Sequence, residues 1–117
     1  QMNLKLLSLI RKTTAKIIRI SQDFECFIEK QVAKKAGELC LETVIEKCKE
    51  VYKVDNVKHE FKMGWDSWEH SITVDVDGNN INPNVEETRI RELSHWLVLT
   101  TYPYQKYFRI RYEYNNE

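Results

Sequence analysis

Glycine and proline are scarce in this chain, three and two residues among 117. Breaks and sharp turns are therefore few, and regular elements should dominate. Cysteine is scarce as well. Cys26, Cys40 and Cys48 are odd in number and lack C-x-x-C spacing, which argues against a disulfide framework and against a zinc ribbon. They read as reduced thiols of an intracellular, cytoplasmic protein. Long apolar runs are missing too. Lys5 interrupts and Arg11 ends the apolar start of "MNLKLLSLIRK", far short of the ~20 residues that span a bilayer. No small-residue cleavage site follows to make that stretch a signal peptide. Net charge is absent: 18 basic residues balance 18 acidic ones, so the global balance points to no polyanionic partner. What is present, 42% hydrophobic and 11% aromatic residues, is the composition of a folded chain. The length fits a single domain over residues 1–117.

The zero balance hides a division. Residues 1–22 hold Lys5, Arg11, Lys12, Lys16 and Arg19 and no acid. The other 13 basic residues face all 18 acids, so the two segments carry +5 and −5. Wound at about 100° per residue, the first segment collects Leu6, Leu9, Ile10, Thr13, Ile17 and Ile20 on one side. Lys5, Lys12, Lys16 and Arg19 gather on another. This predicts a basic amphipathic helix that projects from the domain or mediates assembly, with Thr13 and Thr14 as its β-branched weak points. A rival reading makes "AKIIRIS" a short strand.

A second helix is expected within residues 23–55, with Ser21 or Asp23 able to cap it. Its apolar side changes partway. Phe24, Phe27, Ile28, Val32, Ala36 and Leu39 form one stripe; Leu41, Val44, Ile45, Cys48, Val51 and Tyr52 form another, with Gly37 at the changeover. Either the helix breaks at Gly37, or one long helix packs against different neighbours at its two ends, one of them a second subunit. Glu38, Glu42, Glu46 and Glu50 recur every four residues as an acidic ridge suited to a basic partner.

Residues 57–77 carry the clearest β signal. Apolar or aromatic residues alternate through His59 in one run and His70 in the next. The register sets whether the two histidines meet. A loop of Asp66-Ser67 separates them by ~13 Å. The four-residue loop "GWDS" leaves them diagonal, and a Gly64-Trp65 loop places them face to face. The first two keep the tryptophans on the buried face and are preferred, so no metal site is expected there. "DVDGNNINPN" has Asp75, Asp77 and Asn79 at alternate positions. The rest of a calcium loop is missing, so it reads as a turn.

In the last third, Asn84 reads as a helix cap, and "WLVLTTYPYQKYFRIRYEY" reads as a C-terminal hairpin over 96–114. Tyr107, Arg109 and Arg111 form an aromatic-basic row suited to single-stranded nucleic acid. The expected fold is α+β: N-terminal helices packed on one face of a small antiparallel sheet built from hairpins 57–77 and 96–114. The alternative is a ferredoxin-like βαββαβ order, with a strand at 15–20 and a second helix reaching Thr101.

No catalytic constellation is visible. G-x-G-x-x-G, P-loop, H-E-x-x-H and G-x-S-x-G motifs are all missing, and His95 has no sequence partner. The expectation is a small non-enzymatic interaction module without catalytic, metal or cofactor residues. It would bind a partner protein or form a homo-oligomer such as a homodimer, with Glu38, Glu42, Glu46 and Glu50 as one surface. The alternative is nucleic-acid binding through Lys5, Lys12, Lys16 and Arg19, with Arg109 and Arg111.

Overall fold

A computed structural model describes residues 3–79 and 81–116. Gln1 and Met2 of the basic segment, Asn80 of the expected turn, and Glu117 lie outside the described residues. The chain order is helix α1 (Leu4–Tyr52), strands β1 (Lys58–Met63) and β2 (Trp68–Asp77), helix α2 (Pro83–Thr101), a short 3-10 turn (Gln105–Tyr107) and strand β3 (Phe108–Asn115). The class is α+β.

The two expected N-terminal helices are one. α1 runs through 49 residues without a break. At 1.5 Å per residue it is about 73 Å long, and it alone accounts for the 75 Å long axis of the molecule. Ser21 and Asp23 are interior residues; the cap is Asn3, whose side chain accepts the Lys5 N–H at 2.9 Å. Thr13 and Thr14 are accommodated because each hydroxyl donates to a carbonyl one turn back, those of Leu9 and Ile10, both at 2.9 Å. The strand expected at residues 15–20 is therefore helical, which removes the ferredoxin-like order. α1 stops at Lys53, which turns left-handed (φ 55°) and donates its N–H to the Lys49 carbonyl.

β1 and β2 form the expected hairpin, with Met63 opposite Trp68 and "GWDS" as the loop, but Trp65 sits in that loop and is exposed rather than on the buried face. The expected C-terminal hairpin does not form. Residues 96–101 continue α2, because Leu93, Leu97 and Thr101 recur every four residues on its buried side. The Thr101 hydroxyl donates to the Leu97 carbonyl at 2.6 Å. This burial outweighs the β preference of Val98 and Thr100, both of which are exposed. The cap of α2 is Asn82 rather than Asn84, with Pro83 in the first turn. α2 then carries the chain over to β3, which lies parallel to β2, and the sheet order is β1-β2-β3. The sheet is therefore mixed, not antiparallel.

Strand β2 is central and buries Ile72, Val74 and Val76. They share one core cluster with Ala33, Ala36, Val44 and Cys48 of α1, Leu93 and Leu97 of α2, and Phe108 of β3. Burial raises the Cys48 thiol to about 11, so it stays protonated and behaves as a small apolar side chain. On the other side of β2 the residues are polar. Glu69 there is 6% exposed and takes Arg109 at 3.6 Å and Arg111 at 3.5 Å.

Candidate functional site

The two halves of α1 live in different surroundings. From residue 29 onward the helix enters the core. Before it, every described residue of the helix is exposed. Among these are Leu6, Ile10, Ile17, Ile20, Phe24 and Phe27, with exposures from 48% to 63%. With Thr13 they follow one another at alternating steps of four and three. That is the spacing of a helix-pairing seam. The seam crosses the boundary at residue 22 that the charge change suggests. The stepping from Leu6 to Phe27 is the sequence signal that reveals it.

The seam faces away from the body. Ala33, Ala36, Gly37, Val44 and Cys48 are the buried residues of α1. At 3.6 residues per turn, their mean direction lies roughly 160° around the helix from the seam. A partner laid along the seam would therefore meet helix alone. Singly exposed apolar residues are ordinary, but a continuous row of this length marks an interaction surface.

The expected cation site divides in two. Lys5, Lys12, Lys16 and Arg19 are all exposed on α1, about 100° around the helix to one side of the seam. Arg109 and Arg111 do not join them: both are held by Glu69, and Arg111 also donates from Nε to the Ser71 hydroxyl at 3.0 Å. The aromatic-basic row is not built. Tyr107 is 4% exposed and donates its hydroxyl to Glu29 at 2.9 Å. That bond, with Lys106 nearby, holds the Glu29 carboxyl below its ordinary range. Sequence alternation misplaces Tyr107 because it belongs to the 3-10 turn, where period two does not apply.

The acidic ridge is present on the outward side of α1. Glu38, Glu42, Glu46 and Glu50 are exposed; Glu38 meets Lys35 at 3.3 Å, Glu46 meets Lys49 at 3.6 Å and Glu50 meets Lys47 at 3.8 Å. Such exposed pairs contribute little to stability.

His59 and His70 do meet, although they are diagonal in the register. His59 lies opposite Ile72, and His70 lies opposite Phe61. Their ring centroids are 5.2 Å apart, and His59 Nε2 lies 3.0 Å from His70 Nδ1. His70 Nε2 lies 2.8 Å from the Ala33 carbonyl of α1. A carbonyl only accepts, so Nε2 of His70 carries the proton and donates it. In the neutral ring Nδ1 is then free to accept the N–H of His59. The network thus assigns one tautomer to each ring. Burial first, and His70 second, hold His59 below the ordinary histidine range. Among the described residues no group of three or more His, Cys, Asp or Glu side chains stands together as metal ligands.

This relay also explains Gly37. A Cβ at that position would lie 2.5 Å from the His70 Nε2 atom. Glycine is there because the imidazole rests directly on the helix backbone, not because the helix breaks. His70 is further stacked against Phe61 and Phe108, with centroids 4.6 Å and 5.4 Å away.

One polar hub has no clear sequence signal. Glu86 reads as an ordinary first-turn acid of α2, yet it is 7% exposed. It accepts hydrogen bonds from Tyr52 at 2.8 Å, Tyr114 at 3.2 Å and Arg89 at 3.3 Å. Burial, and then donation to Glu86, raise the Tyr52 hydroxyl well above its ordinary value. The hub ties the end of α1 to α2 and β3. The other candidates stay apart: His95 is exposed on α2, and the Asp77 carboxylate accepts the Asn79 N–H at 3.0 Å in a local turn.

Among the described residues, no helix is long and apolar enough to cross a membrane. Comparison with known proteins finds no matching family model, curated protein or solved structure.

Proposed function

We propose that the protein is a small non-enzymatic interaction module that assembles through the outward seam of α1. The observation carrying this reading is the row from Leu6 to Phe27, held exposed on a helix that continues into the folded body. A helix of this length standing in water has little reason to persist on propensity alone, and packing of its apolar side is the usual source of such stability. The body acts as the anchor. Sedimentation of the wild type and of an Ile17→Asp/Ile20→Asp variant, at low and high salt, tests the proposal. Seam-dependent assembly is expected. A chain that is monomeric in both salts, and captures no protein that the variant loses, would overturn it.

A second reading rests on the cations. Lys5, Arg11, Lys12, Lys16 and Arg19 are exposed within 15 residues, and the first acid is Asp23. They would take a nucleic-acid backbone by counterion release. Arg109 and Arg111, though exposed, are paired with Glu69, which favours the helix cations over them for this role. In a mobility-shift titration, the Lys12/Lys16/Arg19 triple alanine variant should lose binding that falls steeply with salt. Equal binding by variant and wild type would reject this surface.

A further inference from the structure

We propose that the occupant of the seam is a second copy of this chain, running antiparallel, with Ile17 of each copy packed against Ile20 of the other. The proposal rests on the assembly reading above and adds the partner, its direction and its register.

The register follows from size and charge. With Ile17 opposite Ile20, the neighbouring layers pair Ile10 with Phe27 and Thr13 with Phe24. The small Thr13 thereby faces a large ring, and each layer occurs twice by the two-fold symmetry. Two further positions flank an antiparallel seam on each side. On one side Leu7 meets Ile28, both exposed apolar residues at 45% and 42%. On the other, Lys16 meets Asp23, both exposed.

Other arrangements lose these matches. Sliding the copies by seven residues one way brings Lys16 opposite Lys16. Sliding them the other way brings Lys16 opposite Lys30 and Asp23 opposite Asp23. A parallel pair in register sets Thr13 on Thr13 and Asp23 against Ile28, and it lays the two cationic segments side by side. Only the antiparallel pair centred between residues 18 and 19 joins apolar flank to apolar flank and cation to anion.

The area is sufficient. Leu6, Leu7, Ile10, Ile17, Ile20, Phe24, Phe27 and Ile28 from each copy, at roughly 60–120 Å² per side chain, would bury on the order of 1,000–1,900 Å². Specific interfaces bury about 1,200–2,000 Å². The two bodies would stand at opposite ends of the overlap, each on the far side of its own helix from the seam. The acidic ridge from Glu38 to Glu50 would lie beyond the overlap.

Two measurements test this. Chains carrying Ile10→Cys and chains carrying Phe27→Cys, both with Cys26→Ser, are mixed and oxidised, and the cross-linked species are weighed. An antiparallel pair gives, as the main product, the mixed disulfide joining position 10 of one chain to position 27 of the other. A parallel pair links each variant to itself and overturns the proposal. Charge exchange provides the second measurement without touching the seam. Lys16→Asp alone and Asp23→Lys alone should each weaken the dimer several-fold at low salt, and the double exchange should restore it. Single exchanges without effect, or a double that binds no better than the singles, would overturn the register. If the wild type is monomeric but the seam still binds another protein, the second copy is rejected and the assembly reading survives. A monomer with no seam-dependent binding ends both.

Discussion

The two halves of α1 share one backbone and opposite surroundings. Residues 29–52 are held by the sheet, by α2 and by a relay of histidines. Residues 4–28 are all exposed. The embedded half uses its small residues, Ala33, Ala36 and Gly37, to let other elements come close. The projecting half uses large ones, Ile17, Ile20, Phe24 and Phe27, which reach outward. Residue size thus separates the side of a helix built for an intimate intramolecular contact from the side left for a partner.

The largest effect that separates the halves should come from the core. Ile72→Ala removes a fully buried side chain of the central strand and should cost about 2–5 kcal/mol in urea unfolding. A loss below ~1 kcal/mol would show that β2 is not central to the body. Next comes Gly37→Ala. On an unencumbered helix this exchange stabilises by up to ~1 kcal/mol. Here the methyl group meets the His70 ring, so the sign should reverse, with a loss of about 1–3 kcal/mol. A gain in unfolding free energy would break the account of the close approach.

Acid should act on the embedded half as well. The fold holds the affinity of His59 for a proton below its unfolded value. The folded state therefore binds fewer protons than the unfolded state as pH falls past about 6.5. The stability tied to His59 is complete above that pH. It is lost on acidification through the window down to the lowered folded value. His59→Gln should flatten this part of the pH–stability curve, and an unchanged curve would remove His59 as its source.

The smallest effect on the body should come from the projecting half. Ile17→Asp should change hydrogen-exchange protection of β2 amides by no more than ~0.5 kcal/mol when the chain is dilute, while abolishing assembly. A collapse of β2 protection would mean that the projecting half supports the body after all.

Much of this is legible from periodicity. The hairpin and the basic amphipathic character of the first segment follow from patterns that repeat locally; the loop stays open between Asp66-Ser67 and "GWDS" until the pairing of Met63 with Trp68 decides it. Residues 96–101 read as strand in the sequence because Val98 and Thr100 favour strands. What decides there is the burial of Leu93, Leu97 and Thr101, a tertiary fact. The parallel placement of β3 is hidden for a related reason: a crossover through α2 joins strands that are distant in sequence. The continuity of the seam is present in the stepping from Leu6 to Phe27. The charge boundary at residue 22 obscures it, because charge and helical phase are independent properties of the same residues.

The sequence by itself determined the local periods: a helix-forming first half, an alternating hairpin, and the division of +5 from −5. These depend only on neighbours a turn or a pleat apart. The tertiary structure alone decided why Gly37 stands in an unbroken helix, why His59 and His70 share a proton-donating chain to Ala33, and which face of α1 is left outward. Each of these requires two elements far apart in sequence to approach within a few ångströms, and no local pattern encodes that distance.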